Sequence, residues 1–153
     1  MKRLLPSVAI LMASTSFPAL ANEGLQKLID NPANMAIQTM DYANTRYSTL
    51  DQITRDNVGD LRVAWTFSTG VLRGHEGAPL VIDNMMYVHT PFPNIVYALD
   101  LAQDGKIVWK YEPRQDPNVI PMMCCDTVYR GTAYANGKIF LHQADTTVVA
   151  LDA

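Results

Sequence analysis

The chain has 153 residues, of which 48% are hydrophobic and 18% are charged, a composition that excludes collagen-like, coiled-coil and disordered proteins. It has 12 Lys and Arg against 15 Asp and Glu, a formal net charge of −3, and its longest basic run is Lys2-Arg3. We therefore expect a globular protein that has no nucleic-acid partner.

The first 21 residues have the pattern of an export signal. Residues 1–3 are positively charged, an apolar stretch follows to residue 20, and Ala19-Leu20-Ala21 is a small-x-small cleavage site. A transmembrane anchor is the alternative, but Pro and Ser residues leave fewer than the roughly 18 to 20 apolar residues that a span needs. We expect a signal peptide over residues 1–21 and an oxidising compartment for the rest of the chain.

An N-terminal segment over residues 22–60 comes next. Leu25, Leu28 and Ile29 have helical spacing, and Asn31-Pro32 predicts the end of that short helix. The remainder is mixed and polar, with turn signals near residues 51–53 and 57–59. The segment therefore predicts a short helix followed by turns.

From residue 61 to residue 153 the sequence is typical of short β-strands. Residues 61–69 alternate apolar and polar side chains and are closed by Gly70, as expected of a half-buried strand. Later runs are rich in Val, Ile and Tyr, and most are separated by Asp-Asn, Asn-Gly or Asp-Gly turn signals. They predict further strands over residues 79–82, 85–89, 95–99, 107–111, 132–135, 138–142 and 146–151.

An internal repeat organises these strands. Residues 80–100 and 133–152 have matching patterns, and both copies end in Ala-Leu-Asp, with Asp100 and Asp152 52 residues apart. A period of about 40 to 50 residues with several short strands fits a propeller blade, whereas a two-sheet sandwich would not require self-similarity. Because the second copy stops at Ala153, inside the motif, we expect an all-β chain that is a truncated piece of a propeller.

Several motifs carry a family resemblance: residues 98–100 followed by 105–109, and residues 41–48, 74–81 and 124–131. Together they resemble the N-terminal part of the large subunit of the periplasmic methanol dehydrogenases, eight-bladed propeller enzymes that use pyrroloquinoline quinone (PQQ). The resemblance implies about two blades of such a propeller over residues 61–153 and a periplasmic location. It also implies structural roles for Trp109, which packs between blades, and for Asp100 and Gly105, which fix a turn.

Cys124 and Cys125 are adjacent, and they are the chain's two cysteines. Cα atoms across a trans peptide lie about 3.8 Å apart, less than the roughly 4.4 to 6.8 Å usual for a disulfide, so a bridge between them would be strained. The alternatives are two reduced thiols, or thiols paired with cysteines outside this segment. An oxidising compartment favours the vicinal bridge. The resemblance implies that such a bridge lies against one face of the quinone.

Two charged residues complete the predicted cofactor site. The resemblance implies that Arg130 pairs with a carboxylate of PQQ and that Glu76 also contacts the cofactor. Solvated surface charges are the alternative interpretation of both residues, and the flanking Gly and Cys residues favour the cofactor.

The sequence assigns no catalytic or metal-binding role to the other polar residues considered. Asp126 and Asp145 are interpreted as turn or strand-end residues. His75, His89 and His142 lack metal-ligand spacing. The equivalent positions of His89 and His142 in the repeat favour a structural role.

For the whole enzyme, the resemblance implies oxidation of a primary alcohol, with methanol as the expected substrate, by hydride transfer to the quinone. A calcium or lanthanide ion assists as a Lewis acid, and electrons pass to a periplasmic cytochrome c. The family's catalytic Asp and metal ligands lie further along the chain, so none is expected within residues 1–153. Within this resemblance, residues 90–94 and 126–128 favour the lanthanide-type branch. The expected assembly is a homodimer, or a heterotetramer with a small subunit.

Two other functions remain open. A PQQ ethanol dehydrogenase shares these motifs, and Tyr129, where relatives commonly have Asn, leaves the substrate undecided. A non-catalytic propeller scaffold of the outer-membrane assembly type shares the repeat. Cys124, Cys125 and Arg130 distinguish the two classes, because a scaffold has no use for a vicinal disulfide.

Overall fold

The computed structural model of the chain describes residues 22–153, so the predicted signal peptide over residues 1–21 lies outside the described part. That part contains one α-helix, α1 (Glu23–Ile29), and seven strands. The strands are β1 (Leu80–Ile82), β2 (Met85–His89), β3 (Val96–Asp100), β4 (Lys106–Tyr111), β5 (Ala133–Ala135), β6 (Lys138–His142) and β7 (Val148–Asp152). No helix within residues 22–153 is long and apolar enough to cross a membrane.

Helix α1 begins where the sequence offers a capping side chain. The Asn22 side chain accepts a hydrogen bond from the Leu25 N–H at 3.1 Å, which satisfies one of the free N–H groups of the first turn. Leu25, Leu28 and Ile29 pack against the main hydrophobic cluster. The predicted short helix is confirmed, and its apolar side attaches it to the strands.

The strands form two antiparallel sheets, β1-β2-β3-β4 and β5-β6-β7, each in chain order. In both sheets the first hairpin turns through two residues of left-handed backbone. These are Asp83 and Asn84 with φ 48° and 68°, and Asn136 and Gly137 with φ 50° and 73°. Such turns match the twist of the flanking strands, and Asn, Asp and Gly tolerate them best. The strands predicted from residue 79 onward are confirmed to within two residues at each end.

Residues 61–69 do not form the predicted strand, because their main chain pairs with no strand in the described part of the chain. Alternate side chains pack only in the second half of this segment, since Leu61 and Val63 are exposed. Trp65 and Phe67 are half-buried against the first sheet, while Thr66 and Ser68 are exposed. Phe67 meets Tyr97 edge-on, with ring centroids 5.0 Å apart. A period of two residues identifies a segment with one buried face, and by itself it does not identify a hydrogen-bonding partner.

The core lies on both faces of β3. Val96 and Ala98 belong to the main cluster, which also takes in residues of β1, β2 and β6 and so joins the two sheets. Tyr97 and Leu99 belong to a smaller cluster on the opposite face. Because successive side chains of a strand point to opposite faces, four consecutive buried residues mean that β3 is covered on both sides.

The turn between β3 and β4 is fixed by Asp100 and Gly105. The Asp100 carboxylate accepts a hydrogen bond from the N–H two residues later at 2.8 Å, and its carbonyl accepts one from the Gly105 N–H at 2.9 Å. Gly105 has φ 74°, and a Cβ at this position would lie 2.7 Å from the Trp65 ring. Trp109 packs against the main cluster, with its ring centroid 6.0 Å from that of Tyr87. The contacts of all three predicted structural residues are thus turn or core contacts.

Candidate functional site

The candidate site is built by two loops. One loop, residues 73–77, leads towards β1, and the other, residues 123–131, follows a short 3₁₀ helix (Pro117–Met122) and leads towards β5. Loops held by a rigid scaffold often carry binding residues. These two contain all four residues predicted to bind the cofactor: Glu76 in the first, and Cys124, Cys125 and Arg130 in the second.

Cys124 and Cys125 are joined by a disulfide. Their Cα atoms are 3.8 Å apart, the distance across one trans peptide. Of the alternatives that the sequence leaves open, the structure contains the vicinal bridge. Both residues line an open cleft of 320 Å³, together with Val128, Arg130 and residues 142–144 at and after the end of β6.

The residues that follow Cys124 have an uncommon backbone conformation. Cys125, Asp126 and Thr127 have φ 65°, 60° and 61°, and the Thr127 N–H closes the turn on the Cys124 carbonyl at 3.1 Å. Non-glycine residues lose roughly 1 to 2 kcal/mol each in this left-handed region. Thr127 is buried, and its carbonyl accepts a hydrogen bond from the Phe92 N–H at 3.2 Å, so the surroundings enforce the turn. Backbone strain of this kind clusters at ligand-binding sites.

The cleft combines an apolar wall with a guanidinium group. The disulfide and the Val128 side chain supply the apolar wall. Arg130 Nη2 lies 3.3 Å from Glu76 Oε2, and the Arg130 side chain is 76% exposed. An exposed ion pair adds little to stability, and a guanidinium has five N–H donors, so Arg130 keeps donors for an anionic ligand. A flat apolar ligand that carries carboxylates fits these features.

Asp126 links the two loops, a role that the sequence interpretation missed. Its Oδ1 accepts a hydrogen bond from Arg73 Nη1 at 3.0 Å, and its Oδ2 accepts one from the Gly74 N–H at 2.9 Å. These bonds, that from Gly74 first and that from Arg73 second, lower the pKa of the Asp126 carboxyl below its usual value. The partners lie more than 50 residues away in the chain, so no local pattern could have revealed the contact.

His89 contacts Tyr129, one of the residues that line the cleft. It is buried, and its Nε2 donates to the Tyr129 carbonyl at 3.3 Å, since a carbonyl can only accept. A Cβ at Gly77 would collide with the imidazole, which explains the glycine beside Glu76. The Tyr129 hydroxyl in turn accepts a hydrogen bond from the His142 N–H at 2.9 Å. His89 thus contacts Tyr129 through its imidazole, whereas His142 contacts it through its backbone N–H.

Within residues 22–153, no three His, Cys, Asp or Glu side chains come together in a group that could hold a metal ion.

Comparison with known families gives one match that covers most of the chain. Residues 37–153 match the model of the PQQ glucose/ethanol/alcohol dehydrogenase β-propeller domain. The predicted all-β propeller fold is thereby confirmed, and the four-stranded and three-stranded sheets fit one blade and part of a second.

Individual relatives are similar over nearly the whole chain. A lanthanide-dependent methanol dehydrogenase of Methylorubrum extorquens is 74% identical over 136 residues, which are 89% of this chain and 23% of the relative. A methanol dehydrogenase (cytochrome c) subunit 1 of Paracoccus denitrificans is 48% identical over 145 residues, 91% of this chain and 23% of the relative. A solved structure of a europium-containing methanol dehydrogenase superimposes with a TM-score of 0.82 at 54% identity, over 86% of this chain and 23% of that one. The chain thus spans about a quarter of the length of these relatives.

Proposed function

This chain belongs to the PQQ glucose/ethanol/alcohol dehydrogenase β-propeller family, and we propose that the full-length protein is a periplasmic PQQ-dependent dehydrogenase that oxidises methanol and other primary alcohols to aldehydes. The observation that carries the proposal is the vicinal disulfide that shares one cleft with Arg130. The export signal predicted over residues 1–21 supports the periplasmic location.

The cleft residues fit the cofactor. PQQ is planar and carries carboxylates, so it needs a flat apolar surface and a fixed cation. The Cys124–Cys125 ring and Val128 offer the surface, and Arg130 offers paired N–H donors that a carboxylate can accept. Glu76, at 3.3 Å from Arg130, orients the guanidinium. When bound, the quinone supplies the acceptor for the hydride of the alcohol.

The described residues hold and orient the cofactor, and they do not supply the base. Glu76 pairs with Arg130, and Asp126, which accepts bonds from Arg73 and Gly74, is not among the residues that line the cleft, so we assign the base to neither. In our proposal the base and the ligands of a lanthanide or calcium ion come from other parts of the full-length chain. The names of the lanthanide-dependent and europium-containing relatives favour a lanthanide.

The electron acceptor in this proposal is a cytochrome c, and the assembly is a homodimer or a heterotetramer with a small subunit. The support is the name of the Paracoccus denitrificans relative, which specifies cytochrome c and a subunit 1.

The test is quinone binding by full-length protein prepared without PQQ and then mixed with PQQ and lanthanum or calcium. The wild type should bind the quinone, as followed by absorbance. Loss of a charge-assisted hydrogen bond costs about 1.5 to 3 kcal/mol, so Arg130→Ala should raise the Kd for PQQ about 10- to 100-fold. Cys124→Ala should lower dye-linked methanol oxidation.

Arg62→Ala is the matched control, because the Arg62 guanidinium bonds to the carbonyls of Gly59 and Leu61 in its own loop, at 3.3 and 2.8 Å. This variant should bind PQQ as the wild type does. Full-length protein that binds no quinone, or a Cys124→Ala variant with unchanged alcohol oxidation, would contradict the proposed function.

A further inference from the structure

The Asp126 side chain lies beside the cofactor cleft but is turned away from it. It directly follows Cys125, yet both of its carboxylate oxygens accept hydrogen bonds from the other loop, one from Arg73 at 3.0 Å and one from the Gly74 N–H at 2.9 Å. The proposed function gives this carboxylate no task, since it does not line the cleft.

The position of Asp126 in the chain makes it a connection between the two halves of the site. Its partners Arg73 and Gly74 come just before Glu76, and Asp126 itself lies between the disulfide and Arg130. The loops are also in close contact here, since a Cβ at Gly74 would lie 3.6 Å from Val128. The Asp126 side chain therefore connects the loop that contains Glu76 with the loop that contains Arg130.

The backbone of the second loop explains why such a connection is needed. The left-handed run from Cys125 to Thr127 is intrinsically unfavourable, so it persists only where contacts hold it. On one side the Thr127 carbonyl accepts the Phe92 N–H at 3.2 Å, and on the other side the Asp126 carboxylate accepts the two donors of the first loop. The Arg73–Asp126 pair is partly exposed, at 39% and 55%, so the bond from the Gly74 N–H is the firmer part of this connection.

We propose that Asp126 is a positioning residue for the cofactor site: by binding Arg73 and Gly74 it holds the disulfide and Arg130 in register with Glu76, and so sets the affinity for PQQ. This inference rests on the proposed function, because it requires a quinone in the cleft. The proposal predicts that variants at this contact change the affinity for PQQ and the turnover rate to different extents. Weakening the connection lowers quinone affinity, while turnover at saturating quinone stays close to that of the wild type, because Asp126 does not touch the reacting groups.

Three variants of the full-length protein remove the connection in steps. Asp126→Ala loses both bonds and should raise the Kd for PQQ about tenfold, the lower end of what outer partners of binding residues contribute elsewhere. Asp126→Asn keeps an acceptor for the Gly74 N–H, and Arg73→Ala removes only the ion pair, so both should have smaller effects. Because these two remove the same contact, the double variant should be no weaker than either single one.

Asp116→Asn is the matched control, since the Asp116 carboxylate accepts one bond, from the Asn118 N–H at 2.9 Å, in the preceding turn. The measurement is a titration of cation-loaded, quinone-free protein with PQQ, followed by dye-linked turnover at saturating PQQ. A graded rise in Kd with nearly constant kcat, absent in the control, supports the proposal. If Asp126→Ala fails to fold, the Kd values of Asp126→Asn and Arg73→Ala for PQQ test the proposal.

The two proposals fail in different ways. A wild type that binds no PQQ overturns the proposed function and this inference with it. A wild type that binds PQQ, with Asp126→Asn and Arg73→Ala variants of equal affinity, overturns only the positioning role of Asp126. Variants with a lower melting temperature but an unchanged Kd for PQQ would also overturn the positioning role, because Asp126 would then contribute to stability alone.

Discussion

His89 is the residue whose environment has the clearest consequence for pH. Burial lowers the pKa of its imidazole below the ordinary value of 6.5. Its Nε2 donates to the Tyr129 carbonyl, and its Nδ1 is buried with no partner in the described part of the chain. A protonated ring would bury an unpaired N–H at Nδ1, so folding disfavours the protonated form of His89.

The lowered pKa of His89 predicts how the free energy of unfolding depends on pH. The unfolded chain takes up a proton near pH 6.5, and the folded chain does so only at lower pH. The contribution of His89 is therefore complete above pH 6.5 and is lost as the pH falls towards the lower folded pKa. The lowered pKa values of Asp41, Asp126 and Asp152 affect stability only as the pH falls from about 5, below this window.

The measurement is the free energy of unfolding of the full-length protein between pH 7 and pH 5, a range that brackets the ordinary histidine pKa of about 6.5. His89→Gln keeps an N–H for the Tyr129 carbonyl but cannot titrate, so the fall in stability should be smaller than in the wild type. Equal slopes for His89→Gln and the wild type would refute the assignment.

At the scale of elements, the turn between β3 and β4 shows two constraints at one position. Gly105 has φ 74°, and its missing Cβ leaves space for the Trp65 ring. Trp65 belongs to residues 61–69. Gly105 therefore also allows a segment more than 30 residues earlier in the chain to pack against this turn. The turn therefore attaches that segment to the first sheet.

Gly105→Ala should destabilise the full-length protein by about 2 to 4 kcal/mol, which combines left-handed strain with overlap against Trp65. Gly59→Ala is the control, since nothing lies within 4 Å of a Cβ there, and its effect should be within about 0.5 kcal/mol. Denaturant unfolding measures both. Equal stabilities of the two variants would show that neither constraint operates at Gly105.

The elements differ in how far the sequence predicted them, and the reason is the range of their contacts. The hairpins β1–β2 and β5–β6 were predicted because the Asp83-Asn84 and Asn136-Gly137 turns act within a few residues. Residues 61–69 were wrongly predicted as a strand, because strand pairing depends on a distant partner while alternation depends only on one buried face.

At the scale of the whole molecule, the substrate and metal are the open choices of the proposed enzyme. The relatives named for methanol and for lanthanides favour one combination. Full-length protein loaded with PQQ should show a higher kcat/KM for methanol than for ethanol, and higher activity with lanthanum than with calcium. The measurement is dye-linked oxidation of the two alcohols with each metal in turn. A preference for ethanol would favour the ethanol dehydrogenase alternative, and higher activity with calcium would contradict the lanthanide assignment.

The sequence by itself determined the features that depend on local order: the repeat of short strands, the two hairpin turns, the short helix, and the motifs that pointed to Glu76, Cys124, Cys125 and Arg130. The tertiary structure alone decided which of these side chains meet. It joined the adjacent cysteines, placed Glu76 3.3 Å from Arg130, and revealed Asp126 as the contact between their loops. The physical reason is distance along the chain, because backbone preferences act over a few residues, while the site is assembled from loops about 50 residues apart.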